Sequence, residues 1–296
     1  MPDFRFTEIK EFVGRGLQDF SISRKREKMP WGIPVPNDDE HVMYVWFDAL
    51  TNYVSTLGNP FSGDEKFNHY WVNGTPTQYC GKDNNRFQSA MWQAMLMAVD
   101  LPNSHQIIIN GHITGDGGIK MSKSLGNVVN PYDMITEYGT DALRLFLAKE
   151  IGAWDDSPFT AERLADAYQA NLVNGLGNLL SRTLTMAQNY DVDCSAIIFP
   201  EFSTVAHAAY EVFDYTRVTT DIWQGVNALD KLITEREPFK VFKTDPDKAR
   251  SDVFEVMQGL AKISVQLQPI MPETAQKMRT LIEKREKPAE PLFARK

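Results

Sequence analysis

Cysteine is scarce in this sequence, which has only Cys80 and Cys194 among 296 residues. Two cysteines so far apart exclude a disulfide framework and any Cys-x-x-Cys zinc site within the chain. A signal peptide is absent, and no apolar run is long enough to span a membrane. Together with twelve methionines, these features predict a cytoplasmic protein with no membrane partner.

Positive charge is also in deficit, because the formal net charge is −8. This balance excludes a basic surface covering the whole molecule, so any RNA must be bound by local features. Internal repeats and low-complexity tracts are absent as well. The length and the 43% hydrophobic content predict a well-packed core and about two domains.

A glycine-rich stretch carrying two lysines is the centre of the sequence. Lys120 and Lys123 lie three positions apart beside two hydroxyl residues, Ser122 and Ser124. Glycines precede and follow them and allow backbone angles closed to other residues. Lysine suits phosphate oxygens, so the stretch predicts a mobile clamp for a phosphate chain. A solvated basic turn is the simpler alternative; it is less favoured here because an apolar strand comes directly before the stretch.

The first 50 residues predict a helix and a strand. An amphipathic helix is predicted over 9–20. The apolar run 42–47 indicates a buried strand, with Asp48 as a plausible cap for a following helix. If the chain continues as a helical turn, four residues share one apolar face: Trp46, Ala49, Leu50 and Tyr53. That face is typical of a core, and it also suits a pocket for a thioether side chain.

A strand–helix–strand unit follows. Strands are predicted over 77–80 and 106–110, with a helix over 86–99 between them, which is the usual length of a parallel crossover. This arrangement places the sequence after each strand at one edge of a sheet, where open α/β folds bind ligands. Asp83 is suited to holding ribose hydroxyls, or alternatively caps the helix.

From about residue 160 onward the sequence shows only helical periodicity. Helices are predicted over 161–189, 204–235, 248–268 and 272–286, separated by prolines, and together they predict a helix bundle. Asn178 and Arg182 share a helix face, and Phe239 follows Pro238 at a helix start. Such residues can read and stack on unpaired bases, although an ordinary polar face and a core phenylalanine are the more common outcomes.

Several of these stretches resemble a known family. Lys120-Met121-Ser122-Lys123-Ser124 matches, residue for residue, the Lys-Met-Ser-Lys-Ser loop of class I aminoacyl-tRNA synthetases. Over essentially the whole chain, the sequence resembles the methionyl-tRNA synthetases among them. The matching stretches are Ile22-Ser23-Arg24, Trp31-Gly32-Ile33-Pro34-Val35-Pro36, Tyr44-Val45-Trp46-Phe47-Asp48-Ala49, Gly81-Lys82-Asp83 and Gly177-Asn178-Leu179-Leu180-Ser181-Arg182.

The resemblance implies a role for particular residues. The residues it assigns to a methionine pocket are Trp46, Ala49, Leu50, Tyr53, Phe87 and Gln88. Those it assigns to ATP are Gly81, Lys82, Asp83, Gly111, His112, Ile113, Lys120 and Lys123. Of the loop residues, Lys120, Ser122, Lys123 and Ser124 form the catalytic group, in which the lysines neutralise charge as pyrophosphate leaves. Asn178, Arg182 and Phe239 are assigned to reading the CAU anticodon. The implied substrates and partners are methionine, ATP with Mg²⁺, and tRNA(Met).

Three features depart from the family pattern. Gln88 stands where the family usually has histidine, and Phe239 where it has tryptophan. The larger departure is that His-Ile-Gly-His, the family's motif for ATP phosphates, does not occur. The first half of the nucleotide-binding fold and any zinc knuckle are missing too. We therefore expect the missing half of the catalytic domain to be a partner if the enzyme is split, or the gene to be truncated. We also expect 1–150 to be poorly stable alone.

The predicted fold class is α/β plus all-α: the second half of a doubly wound, Rossmann-like parallel sheet followed by an anticodon-binding helix bundle. The predicted divisions are 1–114 for the catalytic half-domain, 115–160 for the loop and stem-contact helices, and 161–296 for the bundle. The predicted function is that of a methionine–tRNA ligase. The alternatives are a class I ligase for another aliphatic amino acid and a non-catalytic tRNA-binding remnant.

Overall fold

The computed structural model describes residues 2–43, 45–122 and 125–296. The chain forms two compact units, Met1–His112 and Ile113–Lys296. Each unit has its own buried apolar cluster. Tyr44, Lys123 and Ser124, all quoted in the sequence analysis, lie outside the described residues. No helix among the described residues is both long enough and apolar enough to cross a bilayer.

The first unit begins with a helix, α1 (Asp3–Gly14), and a three-stranded antiparallel sheet. The sheet has the order β1-β3-β2, formed by β1 (Ser23–Lys25), β2 (Pro34–Val35) and β3 (Asp38–Met43). The helix predicted over 9–20 therefore lies earlier in the chain. It ends at Gly14, and Gly16 follows with φ at +90°, a conformation that favours glycine and does not continue a helix.

The prediction of a strand over 42–47 is wrong for the second half of that segment. β3 ends at Met43, and α2 (Val45–Leu50) begins two residues later. Asp48 consequently lies inside a helix and is not its cap. A short apolar run cannot be divided between strand and helix by periodicity alone. Here residues 45–50 form a helix, and Leu50 is buried in the core of the unit.

The rest of the first unit is the predicted strand–helix–strand. After the short helices α3 (Asn52–Ser55) and α4 (Glu65–Phe67) and a π-helical turn, Asn68–Val72, come β4 (Thr77–Gly81), a π-helical turn Phe87–Met91, α5 (Trp92–Ala98) and β5 (Gln106–Asn110). The two strands pair in parallel with Gly81 opposite Asn110. The strand prediction over 106–110 is confirmed to the residue, because Ile107, Ile108 and Ile109 are all buried.

The core of this unit consists of six buried residues: Leu50, Val54, Phe67, Trp71, Trp92 and Leu96. Trp71 also donates a hydrogen bond from Nε1 to the carbonyl of Pro102, 2.9 Å away. This bond ties the π-helical turn to the connection that leads into β5. The core therefore fixes the helices that lie between and before the two parallel strands.

The second unit joins a short parallel pair to a helix bundle. β6 (Ile113–Thr114) pairs with β7 (Ser157–Pro158). The helices are α6 (Pro131–Tyr138), α7 (Thr140–Lys149), α8 (Ala161–Ala167), α9 (Asn178–Asn189), α10 (Thr204–Glu211), α11 (Tyr215–Arg236), α12 (Pro238–Val241), α13 (Pro246–Leu267) and α14 (Pro272–Lys284). The bundle and its proline punctuation agree with the sequence prediction. The helix predicted over 161–189 contains a π-helical segment, Tyr168–Gly177, between α8 and α9.

Side-chain caps begin several of these helices. Asn130 accepts a hydrogen bond from the Tyr132 amide, with Pro131 at the first helical position. Gly139 separates α6 from α7 with φ at +89°. Asp245 likewise caps α13 by accepting from the Lys248 amide.

A polar contact connects α7 to the start of α14. The buried carboxylate of Asp141 accepts a hydrogen bond from the Thr274 amide at 2.6 Å. Arg144, one turn later, donates to the carbonyls of Pro269 and Ile270. A carboxylate at a helix N-terminus is stabilised by the helix dipole as well as by the amide. These bonds hold the α13–α14 turn against α7.

We expect Asp141→Ala to lower the free energy of unfolding of the bundle by about 1–3 kcal/mol, because it leaves a buried amide without its acceptor. Urea denaturation followed by circular dichroism measures the change. Asp166→Ala, which removes an exposed aspartate from α8, is the matched control and should change stability by less than about 0.5 kcal/mol. Equal unfolding midpoints for the two variants would contradict this account of the α7–α14 contact.

Candidate functional sites in the two units

The aromatic residues predicted to form a pocket come together in the first unit. Trp46 on α2 stacks on Phe87, with ring centroids 4.7 Å apart and planes inclined by 13°. Tyr53 on α3 packs against Trp92 at 5.9 Å. Leu50 lies fully buried between these helices and Ala49 is half-buried beside it. The result is a wall of flat apolar surface with one phenolic hydroxyl.

Gln88 provides the polar part of this wall. It is 3% exposed, and its Nε2 donates a hydrogen bond to the Tyr53 hydroxyl at 2.8 Å. Because that hydroxyl accepts from Gln88, its own proton remains available to another acceptor. Among the described residues, Gln88 Oε1 has no hydrogen-bond partner. A buried polar atom without a partner is costly, and a bound ligand is one way to satisfy it.

Two further residues of this wall escaped the sequence analysis. Asn85 is buried, and neither atom of its amide has a hydrogen-bond partner among the described residues; the same holds for Trp92 Nε1. The available signal was spacing, since Asn85, Gln88 and Trp92 lie within two turns of Phe87. The π-helical turn Phe87–Met91 changes the faces that these residues present, and nothing in the sequence pattern indicated it.

The ends of β4 and β5 bring together the first-unit residues assigned to ATP. Gly81 ends β4 opposite Asn110, and Gly111 and His112 follow β5 directly. Lys82 and Asp83 form a 3₁₀ turn after Gly81. A methyl group added at Gly81 would lie 3.1 Å from Asp83 Oδ1. The aspartate side chain therefore lies close over the glycine, and this close approach favours glycine at position 81.

The Asp83 carboxylate also influences its neighbour Cys80. Burial, and to a smaller extent the negative charge of Asp83, together raise the pKa of the Cys80 thiol to about 11. Both causes disfavour the thiolate. Cys80 is thus a poor nucleophile at neutral pH.

The glycine-rich stretch lies in the second unit and is closed at its base by Asn127. The Gly115 amide donates to the Ile119 carbonyl at 2.7 Å, and Thr114 bridges to Lys120. Asn127 Oδ1 accepts from the Ser122 amide at 2.9 Å, and its Nδ2 donates to the Lys120 carbonyl. A side chain at Gly115 would approach Asn127 Nδ2 to 3.2 Å. One asparagine therefore holds the backbone on both sides of Met121.

Lys120 and Ile113 are exposed and Ser122 is half-buried. Gly117, Gly118 and Gly126 have φ of +64°, +76° and +64°, a region that favours glycine. Lys123 and Ser124 were assigned to catalysis and lie outside the described residues. The sequence analysis gave Asn127 no role. Its position directly after Gly126 was the only signal for it.

The residues assigned to the anticodon lie on the bundle. Asn178 opens α9 and is exposed, and Arg182 follows one turn later on the same face. Phe239 on α12 is 46% exposed, which leaves its ring available for stacking. Glu237, at φ +44°, breaks the backbone between α11 and α12. Phe239 is therefore presented on a short helix after a sharp turn and is not a core residue.

Removing the Asn127 side chain should loosen the loop. We expect Asn127→Ala to raise the hydrogen-exchange rate of the Ser122 amide roughly 5-fold, the equivalent of about one lost hydrogen bond. Amide exchange followed by mass spectrometry or NMR measures this rate. Asn130→Ala, which uncaps α6 a few residues later, serves as the control and should affect the Tyr132 amide instead. An unchanged Ser122 rate would rule out Asn127 as the closure of this loop.

The negative charge of Asp83 should affect the pKa of the Cys80 thiol, which alkylation rates measure. In a Cys194→Ser background, thiol alkylation at Cys80 should rise with pH through a pKa of about 11, because only the thiolate reacts. Adding Asp83→Asn removes a repulsive charge, so the pKa should fall while staying above that of a free cysteine, since burial is the larger cause. A pKa unchanged by Asp83→Asn would show that the carboxylate does not lie close to the thiol.

Comparison with known proteins identifies the family. A family model described as tRNA synthetases class I (M) matches residues 3–184. The methionine–tRNA ligase of Fusobacterium nucleatum is 37% identical over 294 residues, covering 94% of this chain and 45% of the relative. That of Brucella suis is 34% identical, covering 94% of this chain and 55% of the relative.

A solved structure agrees in fold. The Mycobacterium tuberculosis methionyl-tRNA synthetase in complex with methionyl-adenylate superposes with a TM-score of 0.81 at 29% identity, covering 100% of this chain and 64% of that one. The chain spans about half the length of the curated relatives it matches. On the motif, the family model and the fold, the chain belongs to the methionine branch of the class I aminoacyl-tRNA synthetases.

Proposed function

We propose that this chain takes part in charging tRNA(Met) with methionine. The observation that carries the proposal is the aromatic wall of the first unit, in which the Trp46–Phe87 stack lies near the buried Gln88–Tyr53 hydrogen bond. A thioether side chain packs well against aromatic rings. Its sulfur is also a weak acceptor for the Tyr53 hydroxyl proton, which Gln88 leaves available.

The proposal assigns ATP-contacting residues within each unit in turn. In the first, Gly81, Lys82, Asp83, Gly111 and His112 cluster at the carboxyl edge of the parallel pair, where Asp83 would hold the ribose hydroxyls. In the second, Ile113 would contact the adenine, and Lys120 and Ser122 would contact the phosphates together with Lys123 and Ser124. The lysines would stabilise the negative charge that develops as the methionine carboxylate attacks the α-phosphate and pyrophosphate leaves.

Magnesium enters the proposal only with ATP. No cluster of three or more His, Cys, Asp or Glu suited to a metal occurs among the described residues. Mg²⁺ usually keeps its waters and binds through substrate phosphates, and the proposal has it bound in that way. Adenylate formation would also need the His-Ile-Gly-His element to be supplied in addition to this sequence.

The bundle is proposed to bind the anticodon through Asn178, Arg182 and Phe239. The two polar side chains share one face of α9, and the exposed ring of Phe239 offers a stacking surface.

Both thiols, Cys80 and Cys194, are unpaired. This agrees with a reducing compartment such as the cytoplasm, where we place the reaction.

Amino-acid titration by calorimetry tests the proposal on the chain itself. We expect methionine to bind at least about 10-fold more tightly than leucine or isoleucine, the discrimination that a shaped apolar pocket achieves. Trp46→Ala should weaken methionine binding by a similar factor because it removes half of the aromatic stack. Phe61→Ala, which removes a 71% exposed ring in the same unit, is the control and should leave affinity unchanged.

The same titration separates the alternatives. Preference for leucine or isoleucine would support a ligase for another aliphatic amino acid. If no amino acid binds even after the missing half of the catalytic domain is added, while anticodon RNA does bind, the chain is a tRNA-binding remnant.

A further inference from the structure

An exposed ion pair links the anticodon face of α9 to the neighbouring helix α11. Arg182 Nη1 and Asp230 Oδ1 lie 3.3 Å apart, and the two side chains are 39% and 51% exposed. A solvated pair of this kind contributes little to stability. The pair therefore matters more for the hydrogen-bond donors and acceptors that it presents to solvent than for stability.

The pair places donors and acceptors side by side. The contact uses one nitrogen of the Arg182 fork and one oxygen of the Asp230 carboxylate. Arginine has five N–H donors in a fixed plane, and an ionised carboxylate only accepts. The remaining N–H groups of the fork and the second oxygen, Oδ2, are not part of this ion pair. A planar ligand on this face therefore meets a donor edge directly next to an acceptor edge.

Cytosine has the complementary pattern. Its Watson–Crick edge offers the N4 amino group as donor next to the N3 and O2 acceptors, and acidic side chains pair with this amino group. Uracil has nearly the same shape but presents the O4 acceptor and an N3–H donor. Against uracil, the carboxylate would face an oxygen and the guanidinium would face an N–H. Both contacts are repulsive and would leave polar groups unpaired.

We propose that Asp230 is a specificity-determining residue that accepts a hydrogen bond from the N4 amino group of an unpaired cytosine, while Arg182 donates to N3 and O2 of the same base. This inference rests on the proposed anticodon-binding role of the bundle and adds a residue to it. Asn178 lies one turn from Arg182, and Phe239 follows α11 nine residues after Asp230. Asp230 thus contacts Arg182, a residue already assigned to RNA, and Asn178 lies on the same face of α9.

The positive charge of Arg182 beside Asp230 supports a role for Asp230 in binding RNA. A lone carboxylate repels the phosphate backbone of RNA, so an aspartate within an RNA-binding surface is unfavourable unless its charge is balanced. Arg182 supplies that balance at 3.3 Å. The carboxylate can then bind a base donor without a net negative charge at the site.

Anticodon stem-loops provide the test with the full chain. We would measure affinity for loops carrying CAU, UAU, and CAU in which 2-pyrimidinone replaces cytosine and so lacks only the amino group. The wild-type chain should prefer CAU to each of the other two by roughly 5- to 150-fold. In Asp230→Asn, whose amide can accept from cytosine N4 or donate to uracil O4, the preference for CAU over UAU should shrink by roughly 5-fold or more, and the remaining preference is due to Arg182. Asp221→Asn, an exposed aspartate on the same helix, should keep the wild-type preference.

The outcomes separate this inference from the proposed function. If Asp230→Asn weakens all three loops equally, Asp230 only orients Arg182 and the inference is overturned. The same holds if the CAU preference survives in Asp230→Asn at its wild-type value. If the wild-type chain binds no loop, or if Arg182→Ala leaves binding untouched, the anticodon-binding role itself fails and the inference with it.

Discussion

Parallel pairing of β4 with β5 is the constraint on which the first unit depends. Parallel strands need a crossover between them, and the crossover here carries Phe87, Gln88 and Trp92. The pairing register sets Gly81 opposite Asn110, so the turns after both strands lie at one edge. One set of backbone hydrogen bonds thereby determines where the polar turns lie and where the aromatic wall of the crossover begins. The helices α2 and α3 complete that wall by packing Leu50 and Val54 into the same core.

The second unit positions its functional residues in a different way. In the described parts of its lysine-bearing loop, 115–122 and 125–127, the backbone forms one short 3₁₀ turn and is held by side-chain-to-backbone bonds from Asn127. The bundle, by contrast, has a large apolar core reinforced by the Asp141–Thr274 contact. A loop that must move during catalysis cannot be built into such a core. The contrast between a lightly held loop and a firmly packed bundle agrees with the different roles proposed for them.

The sequence allowed much of this architecture to be predicted, and the errors have physical causes. Continuous apolar residues determine β5 and a leucine stripe determines α9, because burial leaves these segments no alternative. The segment around Met43 failed because an apolar run is compatible with either a strand or a helix, and contacts with Leu50's neighbours decide between them. The partners of Gln88 and Asp230 could not be predicted, since each lies on a separate element, and those of Asn127 depend on the path of an irregular loop. The methionine and anticodon residues came from resemblance and not from pattern, and their roles stay proposals.

The π-helical segment Tyr168–Gly177 sets the direction in which the residues of α9 face. A residue added to or removed from a helix turns everything beyond it by about 100°. The face of α9 that carries Asn178 and Arg182 owes its orientation to the exact residue count upstream, and Leu179, Leu180 and Leu184 owe their burial to it as well. Loss of one residue with no change of helix type would turn the leucines toward water and the arginine toward the core, whereas the π-helical segment can absorb such a loss by tightening to α-helix. The type and length of the helix before α9 thus determine where Asn178 and Arg182 face as much as the sequence of α9 itself does.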